Sequence, residues 1–154
     1  MRTYRCDFEI FEDDGMWLAL PLGMDGGTQG YTFDDAVDMA CDWLRLNVEH
    51  AAIRGIDLEE SKRSLPLEHG GTRVVICVPM GRECIDKVTA TEAARILGIS
   101  KARVSALIKD RKLEGWQEGR NTYVTRESVV ARLSKPKPMG GRPKKRLSKI
   151  TASF

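Results

Sequence analysis

Ser100, Lys101, Arg103, Ser105, Lys109 and Arg111 crowd hydroxyl and cationic side chains into one short stretch of this 154-residue chain. The chemistry such groups share is recognition of a polyanion. A guanidinium pairs bidentately with the O6 and N7 edge of guanine, so Arg103 is the expected base reader. Lys101, Lys109 and Arg111 are expected on phosphate oxygens, which fixes register without reading sequence. Arg120 and Asn121, at a second Gly-containing tip, offer further donors.

Groups like these act together only if the backbone holds them on one face. Thr89-Ala90-Thr91-Glu92 is a capping box, and the helix it opens should stop at Gly98, which accepts the left-handed conformation that ends helices. Ser100 can cap a second helix almost at once. In that helix Ala102, Val104, Leu107 and Ile108 are expected to bury a face, leaving Lys101, Arg103, Ser105 and Lys109 outward. Two short helices joined by a Gly-containing turn form a helix-turn-helix, whose second helix enters the major groove. Residues 112–124 then read as a hairpin with Arg120 and Asn121 at its tip, and Thr125 caps a last helix over 126–133. Thr-x-x-Glu-Ala-Ala-x-x-Leu-Gly-Ile-Ser, Arg-Val-x-x-Leu-Ile, the Gly-Arg tip and Tyr-Val-Thr-Arg-Glu-Ser together resemble the excisionase and MerR-type winged helix-turn-helix. The resemblance implies a DNA-binding domain over residues 88–134. A helix-turn-helix used only for dimerisation or protein contact is the alternative.

Charge separates this segment from what precedes it. Residues 1–86 hold 8 Lys+Arg against 17 Asp+Glu, a net of −9, whereas residues 87–154 hold 17 against 5, a net of +12. A division this sharp implies two modules with different partners. The chain is long enough for two small domains. No apolar run approaches the roughly 18 residues of a membrane span, and the first residues lack a secretory pattern, so a cytoplasmic location is expected. Cys6, Cys41, Cys77 and Cys84 contain no Cys-x-x-Cys pair, and His50 and His69 stand at no ligand spacing to them. Buried free thiols are expected, with a metal or disulfide as the other reading, and no cofactor is indicated.

In the acidic half, Tyr4, Cys6, Phe8 and Ile10 alternate with Arg5, Asp7 and Glu9, the pattern of a strand with one buried face. Asp14-Gly15 supplies a hairpin turn, residues 16–20 the returning strand, and Thr28-Gln29-Gly30 a short third strand. Thr32 caps a long helix whose stripe is Phe33, Val37, Ala40, Leu44, Val48 and Ala51. Asp35, Asp38, Asp42 and Glu49 run along another face, either solvated or a docking surface for a basic partner. Residues 73–79 read as a final strand, giving the order strand, strand, strand, helix, strand.

Trp17-Leu18-Ala19-Leu20-Pro21, Gly26-Gly27-Thr28-Gln29-Gly30 and Thr32-Phe33-Asp34-Asp35-Ala36 resemble the HicB antitoxin domain; Leu22-Gly23-Met24-Asp25 departs from the family's usual loop. The resemblance implies a partial ribonuclease-H-like α+β domain over residues 1–80 that binds a small mRNA-cleaving HicA toxin. No catalytic residue is expected, because nothing in the spacing forces the acids onto one two-metal site. Residues 81–87 read as a linker.

Residues 135–154 read as a disordered basic tail rich in Pro and Gly. Gly141-Arg142-Pro143 resembles an AT-hook centre without its flanking Arg, and Lys144, Lys145 and Arg146 follow it. A nonspecific electrostatic arm, a minor-groove reader and an inert tail are all compatible with this composition. The whole chain therefore reads as a type II antitoxin that neutralises a HicA-type toxin and represses its own operon, as a homodimer or higher oligomer on palindromic DNA. The alternatives are a stand-alone transcriptional regulator whose first domain serves oligomerisation or ligand sensing, an excisionase that bends DNA, and a nuclease.

Overall fold

The computed structural model of the protein describes residues 2–59 and 65–135. Strand β1 (Arg2–Asp13) buries Tyr4, Cys6, Phe8 and Ile10 on one face, as their alternation predicts. Asp14 and Gly15, with φ of 50° and 77°, turn it into β2 (Met16–Pro21), the geometry whose twist suits a two-residue hairpin. Strand β3 (Thr28–Gly30) pairs with β2, and β4 (Thr72–Met80) pairs with the other edge of β1. The sheet order is β3-β2-β1-β4, with every pairing antiparallel.

Helix α1 (Phe33–Arg54) lies across this sheet. The Asp35 N–H donates to Thr32 Oγ1 at 3.1 Å to open the helix, and Gly55, at φ 67°, closes it. Its buried stripe is Ala36, Ala40, Leu44, Val48 and Ala51, whereas Phe33 and Val37 are only partly covered. The small residues near its start let the helix approach β3 closely. A Cβ at Gly30 would sit 2.7 Å from the Asp35 backbone carbon, so this crossing requires glycine. Phe8 packs edge-on against Trp43 and Trp17 against Phe33, with centroids 5.9 and 5.6 Å apart.

The other face of β1 differs from the half-exposed strand that alternation implies. Asp7 and Glu9 are each only 1% exposed. Residues 65–71, just before β4, cover them. Glu9 accepts the backbone N–H groups of Glu68, His69 and Gly71 at 3.0, 2.7 and 3.1 Å, and Asp7 is paired with Arg5 and Arg73 at 3.2 and 3.1 Å. Arg73 also donates to the Leu65 carbonyl, and the His69 ring stacks on Phe11 with centroids 4.2 Å apart. Burial acts to raise the Glu9 pKa, but the three backbone donors and the His69 ring outweigh it and hold the carboxyl below its ordinary value.

The expected linker at 81–87 is structured. A 3-10 turn at Arg82–Cys84 is followed by a buried Ile85 and by β5 (Lys87–Thr89), which pairs with β7 (Asn121–Thr125); β7 in turn pairs with β6 (Gly115–Glu118). The second core gathers Val88, Ala93, Ala94, Val104, Leu107, Leu113, Val124 and Val129 around this small sheet.

The thiols also differ from expectation. Only Cys6 is fully buried; Cys41 is half-buried, and Cys77 and Cys84 are exposed. Cys77 alternates with buried Ile76 and Val78 on an edge strand, so its side chain faces out. Among the described residues none of the four cysteines forms a disulfide, and no His, Cys, Asp and Glu cluster could hold a metal ion. Among the same residues no helix is long and apolar enough to cross a membrane.

Candidate nucleic-acid interface

Helix α2 (Ala90–Leu97) opens on Thr89, whose Oγ1 accepts the Glu92 N–H at 3.2 Å. It closes where Gly98 takes φ 66°, with the Gly98 and Ile99 N–H groups donating back to the carbonyls of Arg95 and Ala94. This double closure reverses the chain within three residues. Ser100 then accepts the Arg103 N–H at 3.1 Å and starts α3 (Lys101–Lys109). Val104 and Leu107 pack in the same core as Ala93 and Ala94, and the small side chains on α2 allow the two helices to pack tightly.

With Val104 and Leu107 inward, Lys101, Arg103, Ser105 and Lys109 are all exposed. Ala102 is exposed as well, correcting its assignment to the buried face. At 100° per residue it stands about 160° from Val104, near the pole of the outward surface. A methyl group there leaves the helix axis free to approach a groove floor, where it can meet a thymine methyl. Sequence reading missed it because alanine on either face carries the same apolar label.

Arg111 ends α3 in an unusual way. It adopts φ +57°, the left-handed position glycine normally fills. Its N–H donates to the Ile108 carbonyl at 3.0 Å, and the Lys112 N–H donates to the Leu107 carbonyl at 2.9 Å. The closure fixes where the Arg111 side chain leaves the helix end. Ser100, also assigned to the interface, already uses an acceptor position on its own helix.

Strands β6 and β7 meet at a two-residue tip, Gly119-Arg120, and both Arg120 and Asn121 are exposed. Asn121 Nδ2 donates to Tyr123 Oη at 3.5 Å, and Lys87 Nζ lies 5.1 Å from the Tyr123 ring. Helix α4 (Arg126–Ser134) follows, capped by Thr125, which accepts the Ser128 N–H at 3.3 Å. Arg142, Lys144, Lys145 and Arg146 lie outside the described residues.

The acidic candidates lie on α1 of the first module. Asp35, Asp38 and Asp42 are exposed along α1, and Asp42 is paired with Arg45 at 3.1 Å. Glu49 belongs to the same stripe but is half-covered, facing Glu114 and Glu127 of the second module. Burial first, and then the charges of Glu127 and Glu114, raise its pKa against the opposing effect of Arg45.

A contact absent from any sequence pattern joins the modules. Arg82 donates from Nε to the Ala52 carbonyl at 2.8 Å and from Nη2 to the Ile53 carbonyl at 3.2 Å, with Cζ 5.5 Å from the Trp116 ring.

Neither a curated protein nor a solved structure matches the chain. Residues 88–136, the segment holding α2, α3, the β6–β7 wing and α4, match a family described as a helix-turn-helix domain.

Proposed function

We propose that this chain is a transcriptional regulator that reads an operator with the outward face of α3, and that it is the antitoxin of a HicA-type toxin. The observation that carries the DNA assignment is the exposed set Lys101, Arg103, Ser105 and Lys109, held on one short helix by Val104 and Leu107. Arg103 reads a guanine, Lys101, Lys109 and Arg111 bind phosphate, and Arg120 and Asn121 reach the backbone from the wing. One helix of this length spans few base pairs, so two copies bind a palindromic site.

The antitoxin half of the reading is supported by the residues resembling the HicB domain and by the strand, strand, strand, helix, strand order of the first module. Asp35, Asp38 and Asp42 on the free face of α1 are the surface offered to a basic toxin, and Glu49 prolongs it toward the second module. The reading assigns the chain no catalytic step and no cofactor.

Co-expression of the tagged chain with its two neighbouring reading frames tests the antitoxin half. A small basic protein that co-elutes, and whose toxicity the chain suppresses, is the expected result. If the chain emerges alone beside two harmless neighbours, it is a stand-alone regulator and the acidic module has another partner.

A further inference from the structure

Between the C-terminal half of α1 and α4 runs a groove of about 780 Å³. Its apolar walls are Leu46 and Ile53 from α1 and Val130 and Ala131 from α4. Leu46 and Val130 are each 54% exposed and line the same cleft. Glu49, Glu114 and Glu127 line the same groove. Arg126, which also lines the groove, is paired with Asp86, and Arg45 beside Glu49 is paired with Asp42, each at 3.1 Å. The groove thus has apolar walls and a negative lining, with Glu49, Asp86, Glu114 and Glu127 against the guanidinium of Arg126. Burial in this groove, and then the charges of Glu127 and Glu114, raise the Glu49 pKa.

The described chain ends at the lip of this groove. Ala131 lines it, and α4 stops at Ser134, about 4.5 Å further along the helix axis. Residues 136–154 follow, and they carry Lys137, Arg142, Lys144, Lys145, Arg146 and Lys149 with no Asp or Glu. Leu147, Ile150 and Phe154 are spaced among these cations at intervals of three and four. Cations mixed with well-spaced apolar residues complement a cleft with apolar walls and carboxylate edges. A tether this short keeps the segment at a local concentration of about millimolar, so a weak contact is enough to hold it.

We propose that residues 136–154 dock into this groove of their own chain, with their cations on Glu49, Glu114 and Glu127 and their apolar residues on Leu46, Ile53 and Val130. The groove and DNA phosphate then compete for one basic segment, so the tail reaches DNA only when phosphate outcompetes the three glutamates. This competition rests on the DNA-binding reading above; the docking does not.

Carbodiimide cross-linking of the full chain without DNA tests the docking, using an equal mixture of ¹⁴N- and ¹⁵N-labelled protein and mass spectrometry. The expected products join Lys144, Lys145 or Lys149 to Glu49, Glu114 or Glu127 within single-label chains and fade at high salt. Mixed-label links at the level that random pairing of chains gives would overturn the proposal in favour of a second copy's tail. Links from these lysines solely to other carboxylates, or no links from them while other lysines react, would overturn it altogether. A second measurement compares nonspecific duplex binding of E49Q/E114Q/E127Q with the parent chain. The gain should be roughly three- to tenfold in the full chain and absent when K144Q/K145Q/R146Q/K149Q is also present. An equal gain in both backgrounds would show that the groove does not hold the tail. A chain that cross-links as expected but binds no DNA would refute the regulator reading and leave the docking standing.

Discussion

The Arg82 guanidinium stands 5.5 Å from the Trp116 ring while its N–H groups satisfy carbonyls at the end of α1. One side chain in the short connection thereby ties the last turn of the acidic module's helix to the wing sheet of the basic module. A cation at a helix C-terminus meets the negative end of the macrodipole, and a partly desolvated guanidinium over indole adds about 1–2 kcal/mol. Arg82→Met keeps the aliphatic stem and removes both contacts. Its expected cost is about 1–3 kcal/mol in urea unfolding, with faster proteolysis in residues 81–87. Unchanged stability and unchanged cleavage would mean that Arg82 does not hold the modules together.

Arg111 keeps a side chain where glycine would sit without strain. Replacing it by glycine relieves about 1 kcal/mol of left-handed strain and adds a similar entropy to the unfolded chain, so stability should move by less than about 1 kcal/mol. DNA affinity should nevertheless fall on every sequence, and the slope of log affinity against log salt should decrease by about 0.9. A variant as tight as the parent on DNA would remove Arg111 from the interface.

Glu9 makes stability depend on acid. Its folded-state pKa lies below its ordinary value, so its contribution is present above the unfolded pKa of about 4.3 and is lost as pH falls through the folded value. Glu9→Gln should cost about 1.5–3 kcal/mol at neutral pH, because an amide cannot accept all the donors that converge there. It should also flatten the pH dependence of unfolding below pH about 5. Identical acid profiles for the two proteins would contradict this assignment.

Deleting residues 136–154 should flatten the salt dependence of DNA binding by about 0.9 for each phosphate that the tail neutralises. An unaltered slope would show that the tail never reaches DNA.

What the sequence disclosed were the features that local chemistry writes. Thr32, Thr89, Ser100 and Thr125 cap the helices that follow them, Gly98 ends α2, and the alternation at Tyr4, Cys6, Phe8 and Ile10 finds the sheet's inner face. What stayed hidden depends on distant residues. Asp7 and Glu9 look exposed until residues 65–71 are seen to fold over them. Lys87–Thr89 is too short to show a period and becomes a strand only because Val88 finds Val124 across the sheet. Glu49 shares a helix face with Asp42, yet only the placement of Glu114 and Glu127 turns it from a surface acid into part of a groove.

The claim on which the account turns is that α3 reads base sequence. Selection of bound duplexes from a random pool, followed by anisotropy titration at one fixed salt concentration, compares the parent chain with Arg103→Ala on the selected site and on a scrambled one. The account predicts that Arg103→Ala loses about 1–3 kcal/mol on the selected site, relaxes preference at one base position, and binds scrambled DNA almost as the parent does. Equal losses on both duplexes, or a parent chain with no preference between them, would contradict it.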